Sequence, residues 1–308
     1  MPFADFTLND GRKIPSIAFG TGSVLKGTDV SEYVEQALET GFSHIDTAQY
    51  YETEESTGRA IRESGLDRSE IYVASKYSGG GEIQQAVRES LDKLGLRYLD
   101  LYLIHEPRAA RGGFEAAWQE FEKIKKDGLS KSIGVSNFNL EQLQTLIKTA
   151  NIKPAVNQIL FHPYNYAEKK TLLEYAAQHN IVIEAYSSLT PITKLPGGPV
   201  DKVVKEAAAK RGVQPSQILL AWVRAKGVVI VTTSTKEQHL REYLGVADIE
   251  PLTAEEIAAI DEAGARKPWT SWASITVQTL FLYILGFLIG LGVMDLLLGL
   301  SGSRSSYK

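Results

Sequence analysis

The chain contains no cysteine, which removes disulfides, thiolate-zinc sites and a cysteine nucleophile from consideration and leaves the redox compartment open. Histidine is sparse as well. The five present are not paired at metal-ligand spacing and have no recognisable carboxylate cluster beside them, so metal-dependent chemistry has little to build on. Long runs of one charge are missing: 33 Lys+Arg stand against 37 Asp+Glu, for a formal net charge of −4. That balance offers no footprint for nucleic acid. No nucleophile-elbow motif and no pair of glycosidase-like carboxylates stands out, which argues against a hydrolase. The opening residues, MPFADFTLNDGRKIP, lack the apolar core of a signal peptide, so the folded domain is expected on the cytosolic side.

What is there divides into two compositions. Up to Lys267 the sequence is ordinary mixed globular protein, long enough for one large domain with a sizeable core. From Ile275 to Leu300 it reads ITVQTLFLYILGFLIGLGVMDLLLGL, with Asp295 the only charged residue. A helix of about 20 apolar residues crosses a bilayer core; Ile275 to Met294 already supply that, which puts Asp295 near the far interface. Trp269 and Trp272 precede the run at headgroup depth, and Arg304 and Lys308 lie beyond it. A core helix packed on the domain would keep a polar stripe, whereas this segment is apolar all round. The expected division is a barrel domain over 1–267, a linker over 268–274, a transmembrane helix over 275–300 and a polar tail over 301–308. Such an anchor leaves the ribosome last, so the expectation is a tail-anchored protein whose folded domain faces the cytosol. Gly286 and Gly290 form a GxxxG pair, a weak signal for pairing of two such helices.

Within the large domain, short β-rich runs alternate with helical stretches. SIAFG, SHID, IYVAS, LDLYLIH, SKSIGVS, AVNQI, IVIEAYS and VVIVTT are separated by segments such as VSEYVEQALET and GGFEAAWQEFEKIKKDG. Strands alternating with helices imply parallel βαβ units, and this number of them predicts a closed (β/α)8 barrel. The NDG turn in FTLNDGRKIPSI predicts an N-terminal hairpin over the barrel's lower end. Polar residues gather at the strand ends: Asp46, Lys76, His105, Ser136, Asn137, Gln158, Tyr186 and Ser187. In such a barrel these project toward one mouth, where active sites are built.

Asp46, Tyr51, Lys76 and His105 follow three successive strands and combine a carboxylate, a phenol, an ammonium and an imidazole. A phenol of ordinary pKa, about 10, gives up a proton poorly near neutral pH, but a neighbouring ammonium favours the phenolate and should lower that value. Tyr51 then becomes a general acid. Lys76, enclosed by barrel wall, needs a counter-charge, and Asp46 is the candidate to supply it. His105 suits hydrogen bonding to a carbonyl oxygen. Singly, each residue has an ordinary structural explanation; their joint placement after consecutive strands is what points to catalysis.

The stretches GFSHIDTAQYYETEESTGRAI, LDLYLIHEP, SIGVSNF, VNQILFHPY and IVIEAYSSL together resemble the aldo-keto reductase superfamily, across residues 5 to 265. The resemblance implies an NADPH-dependent reductase of small-molecule carbonyl compounds, with Asp46, Tyr51, Lys76 and His105 as catalytic tetrad and Tyr51 as proton donor. It implies that Ser136, Asn137 and Gln158 hold the nicotinamide carboxamide, that Tyr186 stacks on the ring, and that Ser187 and Leu189 lie along the pyrophosphate. At the adenine end Ser234 and Glu242 match the family, but Thr233, His239 and Tyr243 stand where Lys, Arg and Asn are usual. Losing a guanidinium weakens the hold on a 2′-phosphate, so NADH is the alternative cofactor, with Lys236 and Arg241 as neighbouring replacements. Glu106 stands where many relatives carry Trp. The anchor suggests lipophilic carbonyls as substrates. It also raises a rival reading, a non-catalytic cofactor-binding regulatory subunit of a membrane protein, which the complete tetrad disfavours.

Overall fold

The computed structural model describes residues 4–266 and Pro268. A hairpin of β1 (Phe6–Thr7) and β2 (Lys13–Ile14) precedes eight strands: β3 (Ile17–Gly20), β4 (His44–Asp46), β5 (Tyr72–Tyr77), β6 (Leu99–Ile104), β7 (Ser130–Ser136), β8 (Val156–Leu160), β9 (Val182–Tyr186) and β10 (Val229–Thr232). The eight are parallel neighbours in chain order, and β10 pairs back onto β3 to close the barrel. All eight predicted strands form, as do the hairpin and the predicted helices, here Ser31–Thr40 and Phe114–Lys126.

Alternation along each strand divides the core in two. Tyr102 and Ile104 of β6 face outward and join the apolar layer that the helices cover, where Tyr102 stacks on Phe121 at 5.1 Å. Leu101 and Leu103, with Ala74, face inward and form a second cluster with Leu8 and Ile14 of the hairpin. The hairpin therefore plugs the barrel floor with apolar side chains. Its turn closes through Gly11 at φ +81°, a conformation open to glycine.

The polar residues occupy the layer above this plug. Asp46 is in register with Ala74, so Lys76, two residues on, faces the same interior. Gln158 lies between Ser136 on β7 and Glu184 on β9. His44, Asp46, Lys76, Gln158 and Glu184 are all buried.

Outside the barrel, helix Glu54–Glu63 touches the end of helix Ile83–Leu94 at Gly58. A Cβ there would come 2.2 Å from the Leu94 carbonyl oxygen, which also accepts from Arg62 Nη1 at 2.9 Å. Alanine improves intrinsic helix propensity by about 1 kcal/mol, but overlap with backbone forces the two helices apart. Gly58→Ala is expected to lose about 1–3 kcal/mol net, read from the urea midpoint; a variant as stable as wild type would show that the helices separate at no cost.

Among the described residues no helix is long and apolar enough to cross a membrane. The predicted span 275–300 and the tail 301–308 lie outside the described residues, as does the linker 268–274 apart from Pro268.

Candidate active site

The three N–H groups of Lys76 each have an acceptor. Nζ lies 2.6 Å from Asp46 Oδ1, 2.9 Å from the Thr47 carbonyl oxygen and 3.5 Å from the Tyr51 hydroxyl. Thr47 is itself fixed: its hydroxyl and that of Thr53 both lie 2.9 Å from Thr21 Oγ1. Burial works to strip the Lys76 proton, but the Asp46 carboxylate, the Tyr51 oxygen and the hydrogen bond to Asp46 outweigh it and lift the ammonium above its ordinary value. The pair is thus a buried ion pair with its hydrogen bonds satisfied.

Tyr51 ends the short turn Gln49–Tyr51 after β4, and Glu52 reverses the chain at φ +59°. Its ring lies on the bare backbone of Gly22, where an added Cβ would sit 2.8 Å from the ring. The expected acidification does not occur. Burial raises the Tyr51 hydroxyl, Lys76 opposes it, Asp46 reinforces it, and the net direction is upward. Desolvation of the phenolate exceeds the pull of an ammonium that Asp46 already neutralises.

His105, just past β6, meets the Tyr51 ring edge-on at 5.4 Å and 83°. Burial first, then the Lys76 charge, depress its pKa to about 3, so the ring is neutral at physiological pH. Its Nδ1 lies 3.0 Å from the Ser78 hydroxyl. The adjacent Glu106 carboxylate pairs with Arg108.

The amide-bearing residues form one network. Ser136 Oγ donates to the Gln158 carbonyl at 2.8 Å; Asn137 Nδ2 donates to the His105 carbonyl at 3.0 Å; Tyr186 OH donates to Asn137 Oδ1 at 2.8 Å. Gln158 Nε2 donates to Asp46 Oδ2 and Glu184 Oε2, both at 2.9 Å. Asn137 and Ser187 adopt φ +62° and +58°, a strained backbone for non-glycine residues of the kind that gathers at functional sites.

These strand ends surround a cleft of about 680 Å³. Asp46, Tyr51 and His105 line it together with Ser136, Asn137, Gln158, Tyr186, Ser187 and Leu189. Lys76 is fully buried behind them. Ser234, His239 and Glu242 are not among its lining residues: Ser234 Oγ lies 3.2 Å from His239 Nδ1, and Glu242 accepts from Gln238. Thr233 lines the cleft in their stead, its buried hydroxyl oxygen without a hydrogen-bond partner. Val24 and Tyr50 form an apolar rim, 76% and 60% exposed.

Sequence reasoning did not single out Gly22, Ser78 and Glu184. Ser78 follows Lys76 by two, on the same side of an extended chain, and Glu184 is a lone charge in the apolar run IVIEAYS. Both signals were legible. Gly22 gave none, because only the folded loop brings the Tyr51 ring onto it.

The aldo/keto reductase family model matches residues 16–265. An NAD/NADP-dependent indole-3-acetaldehyde reductase of Schizosaccharomyces pombe is 38% identical over 265 residues, spanning 82% of this chain and 92% of that protein. An NADPH-dependent alpha-keto amide reductase of Saccharomyces cerevisiae is 36% identical, spanning 84% of this chain and 90% of that one. Among solved structures, a Bombyx mori aldo-keto reductase in complex with NADP superposes with a TM-score of 0.78 at 32% identity, over 89% of this chain and 97% of that one. In fold, in the match along its barrel and in likeness to these reductases, this chain belongs to the aldo/keto reductase family.

Proposed function

We propose that the chain reduces aldehydes or ketones to alcohols with NADPH, and that NADH is the alternative cofactor. The observation that carries this reading is a phenol 3.5 Å from a buried, carboxylate-paired ammonium, beside a neutral imidazole on a cleft of about 680 Å³. The cleft's donor set fits a nicotinamide cofactor: side-chain amides at Asn137 and Gln158, a ring at Tyr186, and hydroxyls at Ser136, Ser187 and the unpartnered Thr233. When bound, the reduced nicotinamide supplies a hydride to the carbonyl carbon. Tyr51 hands its proton to the carbonyl oxygen as negative charge develops there, and Lys76 stabilises the phenolate left behind. With Ser78 donating to Nδ1, the neutral His105 carries its own proton on Nε2 and offers it to the same oxygen. Ser234, His239 and Glu242 serve the adenosine end, beyond the cleft proper.

The apolar rim of Val24 and Tyr50 favours carbonyl compounds with an apolar body. The run 275–300 supports a membrane anchor that holds the barrel on the cytosolic face, near carbonyls that partition into lipid. Two assays test this. NADPH and NADH are mixed with a panel of carbonyls and followed by loss of reduced-cofactor absorbance; turnover, faster for the apolar members, is expected, whereas cofactor binding without turnover would favour a regulatory subunit. The full chain should sediment with membranes and a form ending at residue 267 should not; full-length protein in the supernatant would remove the anchor.

A further inference from the structure

Glu184 is an ionisable group of the upper barrel interior that this mechanism leaves without work. It is completely buried at the centre of β9, facing His44 and Asp46 on β4, Tyr72 and Lys76 on β5 and Gln158 on β8. A carboxylate in such a place costs stability unless it is paired and hydrogen-bonded. One of its oxygens is in use: Oε2 accepts from Gln158 Nε2 at 2.9 Å. The other, Oε1, has no hydrogen-bond partner and lies 3.9 Å from His44 Nε2, which also lacks one.

The consequence falls on Gln158. Its amide nitrogen has two hydrogens, and the carboxylates of Asp46 and Glu184 take one each. The reverse orientation would press the amide oxygen against two carboxylate oxygens. Asp46 alone holds one hydrogen and leaves the amide free to swing about that contact; Glu184 is the second point that fixes its plane. The carbonyl end of the amide, the only polar atom not committed, is then the end that Gln158 can offer to the cleft it lines.

We propose that Glu184 is a positioning residue: by holding Gln158 it makes the amide present an acceptor to the carboxamide NH2 of the nicotinamide ring. This rests on the cofactor reading above. Ring orientation in the cleft would then depend on a residue that never touches the ring.

The test separates the two halves of the cofactor. Dissociation constants for NADPH and for adenosine 2′,5′-bisphosphate, which has no nicotinamide, are measured by quenching of intrinsic fluorescence. Glu184→Met fills the space but accepts no hydrogen bond. It is expected to weaken NADPH about tenfold, the scale of one charge-assisted hydrogen bond, and to leave the bisphosphate unchanged. Glu184→Gln keeps a neutral acceptor for Gln158 and turns an NH2 toward His44, so it should bind the bisphosphate as wild type does and NADPH with an affinity between those of wild type and the methionine variant. Equal weakening of both ligands in the methionine variant would make Glu184 merely structural, and unweakened NADPH binding would overturn the proposal outright. If wild-type protein binds neither NADPH nor NADH, the functional reading fails and takes this one with it.

Should the methionine variant not fold, pH decides. Burial, then Asp46, push the Glu184 carboxyl up to about 7, so its ionisation makes it a stronger acceptor above that pH. NADPH affinity relative to the bisphosphate, a ratio in which adenosine-end effects cancel, should rise through pH 7 in wild type and stay level in E184Q. The same change in both proteins would overturn the assignment.

Discussion

Lys76→Met is expected to lower the rate of carbonyl reduction about 10³-fold, within the range for loss of an acid-base group, and to destabilise the barrel by about 3–5 kcal/mol. Both effects have one origin. The ammonium is wholly buried, with its hydrogen bonds directed at Asp46 Oδ1, the Thr47 carbonyl and the Tyr51 hydroxyl. Methionine fills nearly the same volume, so the loss is not one of packing. What remains is a buried Asp46 carboxylate whose other partner is the Gln158 amide, and a Tyr51 hydroxyl with no cation to stabilise its phenolate. Urea unfolding reads the first effect and single-turnover cofactor oxidation the second. If Lys76→Met lost stability but kept the wild-type rate, the ion pair would be architecture alone.

Tyr51→Phe separates chemistry from architecture. The ring stays against Gly22 and the edge of His105; only the hydroxyl goes. The rate of reduction is expected to fall about 10²- to 10⁴-fold, with NADPH affinity and the unfolding midpoint close to wild type. The pH profile adds a sign. Because burial outweighs Lys76 and holds the Tyr51 proton more tightly than usual, reduction in wild type at saturating NADPH should stay level through neutral pH and decline only in the alkaline range, beyond where an ordinary tyrosine titrates. A decline centred near neutrality would mean that the ammonium prevails once reactants fill the cleft. A phenylalanine variant with undiminished rate would remove Tyr51 from the reaction.

The strands were legible because each is a short apolar run bounded by turn residues. The polar residues that close them, from Asp46 to Ser187, were legible because a parallel barrel sends every strand's end to one mouth. Thr233, Ser234 and His239 were harder. They lie in the loop and helix after β10, where no strand parity says which side chains face inward, and the cleft takes Thr233 while Ser234 and His239 turn to each other. Glu184 shows the opposite failure. Its strand position was plain, but a charged residue there has meaning only through Gln158.

Chain order therefore determined the eightfold alternation, the hairpin plug and the identity of the groups at the mouth, because apolar period and turn chemistry are local properties of the sequence. Only the tertiary structure decided that burial raises rather than lowers the Tyr51 hydroxyl, that Ser78 reaches His105, and that one amide links Asp46 to Glu184. A pKa sums the charges and the excluded water around a group in space. The Gln158–Asp46 hydrogen bond joins residues 112 apart in the chain, and nothing along the intervening sequence measures that distance.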